Sequence, residues 1–381
     1  MIDVSLFVSV LAVLVGVVVG SARVRGRGGD VPVLGVGDLV VAVGAAVLVV
    51  AVEVAVTGVG GFFGLAALAS RLVFGIGPAT VVLTRIVAGG EGTTSPVRWL
   101  VGLAAVSAIV GVYATHVEPF WLRVDRLDVL VTASTDDPIR IGVLADIQTD
   151  APGRHERRAV DAVMAADPDL VLIAGDVFQG SDRQLAVHET TMRAILQQLD
   201  APHGVWIVEG DIDRRDQLIR LLHGTDIRLL DDEVVELDVR GQAVLLGGNR
   251  IDWTTPSAVA TRRTLAEAPE DALVILLAHR PDAVLDLPTD SAVDLVVAGH
   301  THGGQVVIPG FGPPVTFTDV PRHVARGGLH EIDGSLLYLS SGVGVERAGA
   351  PRLRLFSRPS VGILDLVSSP LDGPSPTRSS G

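Results

Sequence analysis

Six residues of metal-ligand type stand out in the sequence, each just beyond a short apolar run: Asp146, Asp176, Asp211, His279, His300 and His302. With no cysteine anywhere in the chain, this is an oxygen and nitrogen donor set that suits divalent cations and excludes thiolate sites. The chemistry it could support is hydrolysis at a metal pair. Two cations about 3.5–4 Å apart need a bridging carboxylate, and between them they acidify a water and clamp phosphoryl oxygens. Asp176 is the candidate bridge.

The runs that would position these residues are 141–145, 170–174, 205–208, 273–278 and 295–298, all rich in Val, Ile and Leu. Their length and composition predict buried strands. Loops at the carboxyl ends of strands in an α/β sheet bring together side chains that are distant in sequence, so five strand ends are expected to converge on one pocket. Helical patterns over 155–166, 184–199, 214–223 and 258–268 alternate with the runs, which predicts a layered α/β fold. Residues 234–239 and 243–246 alternate polar and apolar around Arg240-Gly241-Gln242, a hairpin that makes the sheet mixed. A strand over 122–131 is expected within a connector, 116–137, that closes on the polar turn 134–137. Short strands at 305–308, 336–340, 353–356 and 361–366 are expected to build a second sheet. Residues 367–381, rich in Ser, Pro and Gly, read as a disordered tail.

The pieces differ in specificity. A lone Gly-Asp after a strand is as readily a turn or a helix cap. Gly299-His300-Thr301-His302-Gly303-Gly304 says more, because glycines on both sides allow a backbone to approach a ligand closely. The other seven histidines, at 116, 155, 188, 203, 223, 323 and 330, fit no motif and read as surface or core residues.

Taken in order, Asp146-Ile147-Gln148, Gly175-Asp176, Gly210-Asp211-Ile212-Asp213, His279 and Gly299-His300-Thr301-His302 resemble the motifs of the calcineurin-like metallophosphoesterases: D-x-H, G-D, G-N-H-[D/E], H and G-H-x-H. The resemblance covers roughly residues 120–366, and 299–305 looks like the membrane-associated bacterial branch of that family. It implies two mixed β-sheets flanked by helices, here over residues 138–366, and two metal ions. The first would be held by Asp146, the Gln148 side-chain oxygen, Asp176 and His302, and the second by Asp176, Asp211, His279 and His300. The activity it implies is hydrolysis of a phosphoester or diphosphate, with Asp176 and Asp211 in the catalytic centre.

Two positions depart from that pattern. Gln148 stands where the family carries a histidine, and Asp211-Ile212 where it carries Asn-His. The site becomes richer in oxygen and more anionic, which favours Mn²⁺, with Mg²⁺, Fe or Zn²⁺ as alternatives. Ile212 removes a general acid of a kind worth about 10²–10⁴ in rate. Esters with poor leaving groups are therefore expected to be slow and diphosphates easier. Asp213, Arg214 and Arg215 are expected as compensating groups, with His203 and Arg280 as more remote ones.

The first third has another character. The 381-residue chain is 48% hydrophobic, too apolar for a wholly soluble protein. The excess lies in 4–20, 39–56, 62–82 and 99–113, four stretches close to the roughly 20 residues that cross a bilayer. Asp3 precedes the first stretch and no basic residue does, unlike a cleaved signal peptide. Arg23, Arg25 and Arg27 follow the first stretch, and Arg85 and Arg98 flank the loop before the fourth. By the positive-inside rule these loops are cytoplasmic, which puts the N-terminus and everything after residue 113 outside. Trp99, Tyr113, Phe120 and Trp121 fit interfacial anchoring. Glu53 and Arg71 are the ionisable residues inside the spans, and a contact between them is expected rather than a functional role.

Residues 1–115 carry six arginines and five acids, a net of +1, so of the total of −14 the rest carries −15, which argues against nucleic acid as a partner. The expected protein is a membrane-anchored phosphohydrolase whose partners are the bilayer and a phosphorylated small molecule or lipid. The alternative is a catalytically silent metal-binding sensor or scaffold on the same anchor, a reading that Ile212 supports. A transporter with an appended domain is disfavoured, because the spans carry too few polar residues to line a pathway.

Overall fold

The computed structural model describes residues 4–25, 33–57, 61–88, 94–131, 137–288, 290–347 and 349–368. The chain divides into two compact units: a helical one, Met1–Val117 with Glu346–Leu353, and a second, Glu118–Val345 with Arg354–Gly381.

The helical unit contains α1 (Val4–Arg25), α2 (Val36–Thr57), α3 (Gly61–Arg71), α4 (Gly77–Val87) and α5 (Ser95–Val112). A π-helical turn, Leu72–Ile76, joins α3 to α4, with the Gly77 N–H reaching back to the Leu72 carbonyl. The sequence explains the turn. Pro78 has no N–H to give, and a Cβ on Gly77 would lie 2.5 Å from the Leu72 oxygen. Val8–Arg25, Val36–Glu53, Gly61–Val87 and Ser95–Phe120 are each long and apolar enough to cross a membrane. The helices run several residues past most of the expected ends, because the flanking Arg, Thr and Gly residues continue the helix after the apolar run stops. Gly16 and Gly20 of α1 let that helix approach closely: a Cβ at either would fall within 3 Å of atoms of Ala42 and of Thr80 or Thr84. The Arg71 guanidinium lies 3.5 Å from the Glu53 carboxylate. Arg27, the turn residues 134–136 and the tail from 369 onward lie outside the described residues.

Among the described residues the second unit contains twelve strands: β1 (Arg123–Val131), β2 (Ile139–Leu144), β3 (Leu170–Ile173), β4 (Val205–Ile207), β5 (Ile227–Leu229), β6 (Glu233–Val239), β7 (Gln242–Gly248), β8 (Leu273–Leu277), β9 (Leu295–Ala298), β10 (Gly328–Ile332), β11 (Ser335–Leu339) and β12 (Ser360–Ser368). They form two six-stranded sheets, ordered β1-β12-β2-β3-β4-β5 and β10-β11-β9-β8-β7-β6. Both are mixed. β2 to β5 run parallel with β12 antiparallel to β2, and β7, β8, β9 and β11 run parallel with antiparallel β6 and β10 at the edges. The helices are α6 (Arg154–Met164), α7 (Asp182–Leu196), α8 (Arg215–Leu222) and α9 (Pro256–Ala266).

The continuous apolar runs follow from burial on both faces. In β2 and β3, Ile141, Val143, Leu170 and Leu172 point between the sheets, where they meet Leu273, Ile275, Leu295 and Val297. Leu144, Val171 and Ile173 point outward, into a layer with Val160, Leu185 and Leu218 of α6, α7 and α8. On the far side, Val274, Leu276 and Val296 pack with Leu265 of α9.

Several sequence expectations need correction. The hairpin is β6–β7, but 305–308 and 353–356 form no strands and touch only through an isolated bridge between Val306 and Leu355. The run 361–366 does not join the second sheet. As β12 it lies inside the first, between β1 and β2, and takes in Val367 and Ser368 from the expected tail. Its residues are apolar on both sides, which fits an interior strand of either sheet, so the pattern could not choose. β5 and β10 were not foreseen, the first because it is only three residues long and the second because its polar residues hide the alternation.

Candidate metal centre

Parallel pairing puts the carboxyl ends of β2, β3 and β4 at one edge of the first sheet, and those of β8 and β9 at one edge of the second. Asp146, Asp176 and Asp211 follow the first three strands, and His279 and His300 follow the other two. The structure gathers the expected residues into two groups, Asp146–Asp176–His302 and Asp211–His279–His300, with the ligand atoms of each group within 4.8 Å of one another. The groups adjoin, since His279 Nε2 lies 3.5 Å from Asp176 Oδ2 and 3.2 Å from Asp211 Oδ1.

The backbone carries strain here. Asp146 (φ 46°), Gln148 (39°), Asp176 (58°), His300 (75°) and His302 (51°) all adopt left-handed conformations, a costly choice for residues with side chains and one that clusters at functional sites. Close approach is enforced by glycine. A Cβ on Gly210 would lie 2.0 Å from Asp176 Oδ1, and one on Gly299 would lie 2.9 Å from Asp146 Oδ2.

The hydrogen bonds leave donor atoms facing inward. His279 Nδ1 donates to the Ala174 carbonyl (2.7 Å), which leaves Nε2 as the ring nitrogen that faces Asp176 and Asp211 and would be offered to a metal. His300 Nε2 bonds the Phe317 carbonyl (3.0 Å), which turns Nδ1 toward Asp211 Oδ2 at 3.2 Å. A metal-binding imidazole is commonly oriented in this way by a backbone carbonyl on its other nitrogen. Among the described residues, Asp146 Oδ2 and His302 Nδ1 are buried with no hydrogen-bond partner. Both are groups that buried polar atoms normally avoid becoming, unless an ion completes them. Gln148 donates from Nε2 to Gln179 Oε1 (3.2 Å), which fixes the direction of its amide, and its backbone N–H donates to the Asp176 carbonyl.

The electrostatics fit the same need. Burial pushes the Asp146 carboxyl up to about 6 and lifts Asp176 well above the usual carboxylate range. Burial holds His302 well below the ordinary histidine value, so its ring is neutral and able to ligate. Asp211 is partly desolvated, yet hydrogen bonds from His279 and His300 bring its carboxyl below the usual range. Against burial, the Asp176 charge and the Asp211 hydrogen bond raise His279 to about 10. Clustered carboxylates drawing protons onto themselves and onto an imidazole is the response of an anionic pocket to which cations would bring the missing charge.

Not every expected residue faces the centre. Asp213, expected to compensate for Ile212, spends its carboxylate on three backbone N–H groups, those of Asp176 (2.8 Å), Val177 (2.8 Å) and Gly210 (3.0 Å). It ties the β3 and β4 loops together, which corrects the expectation of a catalytic Asp213 to one of a group that positions Asp176. Arg214 pairs with Asp182 and Asp216, and Arg215 with Glu209 and Asp231, so neither is aimed at the site. Arg280 lies closer, since its Nη2 donates to the same Phe317 carbonyl that His300 uses. Ile212 offers its backbone N–H to Asp176 Oδ1 at 3.0 Å, and its side chain brings no proton.

Sequence reading missed the supports. The turn after β11 passes over Asp146: Gly342 (φ 70°) has no room for a Cβ, which would lie 2.6 Å from Asp146 Cβ, and the Gly344 N–H bonds the Asp146 carbonyl at 2.7 Å. An apolar strand followed by Ser-Gly-Val-Gly was the signal available for it. Arg354 is fully buried and bonds the carbonyls of His302, Ser341, Gly342, Gly344 and Ser357. Burial draws Arg354 down to about 10, while Asp146 and Glu118 act to keep it charged. Nothing in the local sequence marks this arginine as interior.

Residues 139–304 match the family model for calcineurin-like phosphoesterases. This part of the chain is a calcineurin-like phosphoesterase domain. The phosphodiesterase YaeI of Escherichia coli is 27% identical over 67% of this chain and 92% of its own length. An uncharacterized metallophosphoesterase of Aquifex aeolicus is 26% identical over 68% of this chain and 97% of its own. YkuE of Bacillus subtilis, also an uncharacterized metallophosphoesterase, is 26% identical over 53% of this chain and 69% of its own. The domain is thus that of a metal-dependent phosphoesterase, a hydrolase, and the two ligand groups suit the dimetal chemistry of the family.

Proposed function

We propose that this chain is a membrane-anchored, two-metal phosphohydrolase that cleaves a diphosphate, or a phosphoester with an acidic leaving group, in a substrate held at a lipid surface. The observation that carries the reading is the adjacency of the two ligand groups around Asp176, combined with Ile212 at the position where a proton donor would stand. When bound, a cation pair supplies an acidified water and charge on the phosphoryl oxygens. The chain's own residues do the rest. Asp213 holds the Asp176 loop, the Ala174 and Phe317 carbonyls fix the tautomers of His279 and His300, and Gly210 leaves space for the Asp176 carboxylate. With no imidazole at 212 to protonate a departing alkoxide, a leaving group stable as an anion is favoured. The oxygen-rich donor set supports Mn²⁺. The four apolar helices support anchoring, and the arginines at 23, 25, 85 and 98 support a domain outside the cytoplasm.

The test uses the full chain in detergent, stripped of metal, then given Mn²⁺ and offered bis-p-nitrophenyl phosphate and a nucleoside diphosphate, beside Asp176→Asn. Turnover that needs both Mn²⁺ and Asp176 is expected on both substrates, since p-nitrophenolate and a nucleotide phosphate both leave as stable anions. Ile212 also supports a second reading, a domain that binds metal without catalysis. Stoichiometric Mn²⁺ uptake with no turnover on either substrate would replace the first reading with the second.

A further inference from the structure

Beside the metal centre, the loop after His302 turns large apolar side chains to solvent. Ile308 (46% exposed), Phe311 (56%) and Phe317 (51%) lie on this loop, and Phe356 (54%), Phe120 (56%) and Trp121 (52%) continue the apolar line. Scattered exposed apolar residues need no explanation, but a contiguous set does. These are joined through the backbone. The Val307 N–H bonds the Leu355 carbonyl and the Leu355 N–H bonds the Gln305 carbonyl, both at 2.8 Å. The next residue, Phe356, donates its N–H to Glu118 Oε2 at 3.0 Å, and the Trp121 N–H returns to the Glu118 carbonyl at 3.0 Å. At the other end, the Phe317 carbonyl takes hydrogen bonds from His300 and Arg280. The start of the loop is thus tied through residues 355 and 356 to the Glu118 turn that carries Phe120 and Trp121, and its Phe317 end to the candidate metal ligand His300.

Two features say what covers it. Phe120 is the last residue of the apolar stretch Ser95–Phe120, so if that stretch spans a bilayer its end lies at the headgroup level. Phe356 and Ser357 both donate their N–H groups to the carboxylate of Glu118, two residues before Phe120, which holds Phe356 close to that end. The composition is also that of an interface: Arg322 stacks over Phe311 at 4.3 Å and Arg358 over Trp121 at 4.2 Å, aromatic rings paired with cations that can meet lipid phosphates. Phe317 (φ 51°) and Phe356 (φ 58°) hold left-handed backbone conformations, strain that for aromatic residues has to be compensated by something their outward placement gains.

We propose that the 305–317 loop, Phe356 and the Phe120–Trp121 pair form a lip that inserts into the bilayer surface beside the metal centre and opens it toward a substrate whose phosphate is carried on a lipid. The proposal rests on the anchored reading above. Because the chain contains no cysteine, single cysteines can be placed and labelled cleanly. The full chain carrying Phe311→Cys or Ile308→Cys, labelled with NBD and reconstituted into phosphatidylcholine vesicles, is compared with Val187→Cys on α7, a site 69% exposed. Labels at 311 and 308 are expected to be quenched by doxyl-labelled phosphatidylcholine and shielded from aqueous iodide, with the reverse at 187. Iodide quenching at 311 and 308 as strong as at 187, or quenching by neither agent, would overturn the lip. The readout does not depend on turnover, so lipid quenching in a chain that hydrolyses nothing would sink the hydrolase reading and keep this one.

Discussion

Replacing Arg354 by methionine keeps the length of the side chain and removes its donors. The buried guanidinium gives six hydrogen bonds to five carbonyl oxygens at 2.6–3.3 Å. Two of those oxygens keep another donor, His302 from the Gln305 N–H and Gly342 from the Ser360 N–H, both at 3.0 Å. The Ser341, Gly344 and Ser357 oxygens depend on the guanidinium among the described residues. At about 1–3 kcal/mol for each orphaned buried group, the loss starts near 3 kcal/mol. Relaxation and water entry keep it to about 3–5 kcal/mol, the range for breaking a buried charged arrangement. Because the same guanidinium holds the His302 and Gly342 turns against Asp146, Mn²⁺ affinity is expected to fall about 10–100-fold, as for other lost supports of metal ligands. Guanidinium unfolding of the full chain in detergent, followed by tryptophan fluorescence, gives the first number, and calorimetric Mn²⁺ titration of the stripped chain gives the second. Unchanged affinity in a destabilised variant would show that Arg354 props the fold and not the site. Unchanged stability would refute the orphaned-carbonyl argument itself.

Two further substitutions probe the centre directly. Gly210→Ala needs no new backbone conformation, but its methyl would sit 2.0 Å from Asp176 Oδ1. A carboxylate displaced by about 1 Å is expected to cost roughly 10²-fold in turnover, and normal turnover and Mn²⁺ uptake would show that the β4 loop yields instead. Ile212→His restores a proton donor, so turnover of alkyl phosphoesters is expected to rise by about 10² or more while diphosphate hydrolysis gains much less. An equal gain on both substrates would mean that the leaving group was never the limit.

The centre was legible in sequence because its chemistry is local to strand ends. A run of four to six apolar residues followed by Asp, Gly-Asp, His or Gly-His is visible without knowing which sheet the strand joins, and although Asp146 or Asp176 alone reads equally well as a turn residue, six such residues in order point to metal. Which sheet a strand joins is a long-range question. β12 pairs with β1 and β2 across more than two hundred residues, and its apolar residues would have suited the second sheet equally well. Arg354 passed unmarked and Asp213 was expected to be catalytic for one shared reason: a charged side chain announces its charge in sequence, and only the fold reveals that the charge is spent on backbone N–H or C=O groups.

The two substitutions at Asp211-Ile212 act on charge in the same direction. Asp211 puts a carboxylate where a neutral amide is expected, and Ile212 removes an imidazole that could carry a proton, so the pocket holds cations more firmly and meets an anionic substrate with less positive charge of its own. Asp211 is the most open of the ligand-type groups, its side chain 34% exposed, which places the added charge at the mouth. A cation held on the His300 side is Arg280, which shares the Phe317 carbonyl with His300 and stacks over Trp253 at 5.2 Å. Its guanidinium also lies 3.8 Å from the Asp282 carboxylate, so only part of its charge is left for an arriving phosphate. The arginine thus offsets, by position, part of what Asp211 and Ile212 take away, and it does so from the residue next to His279, where the backbone already holds it in place.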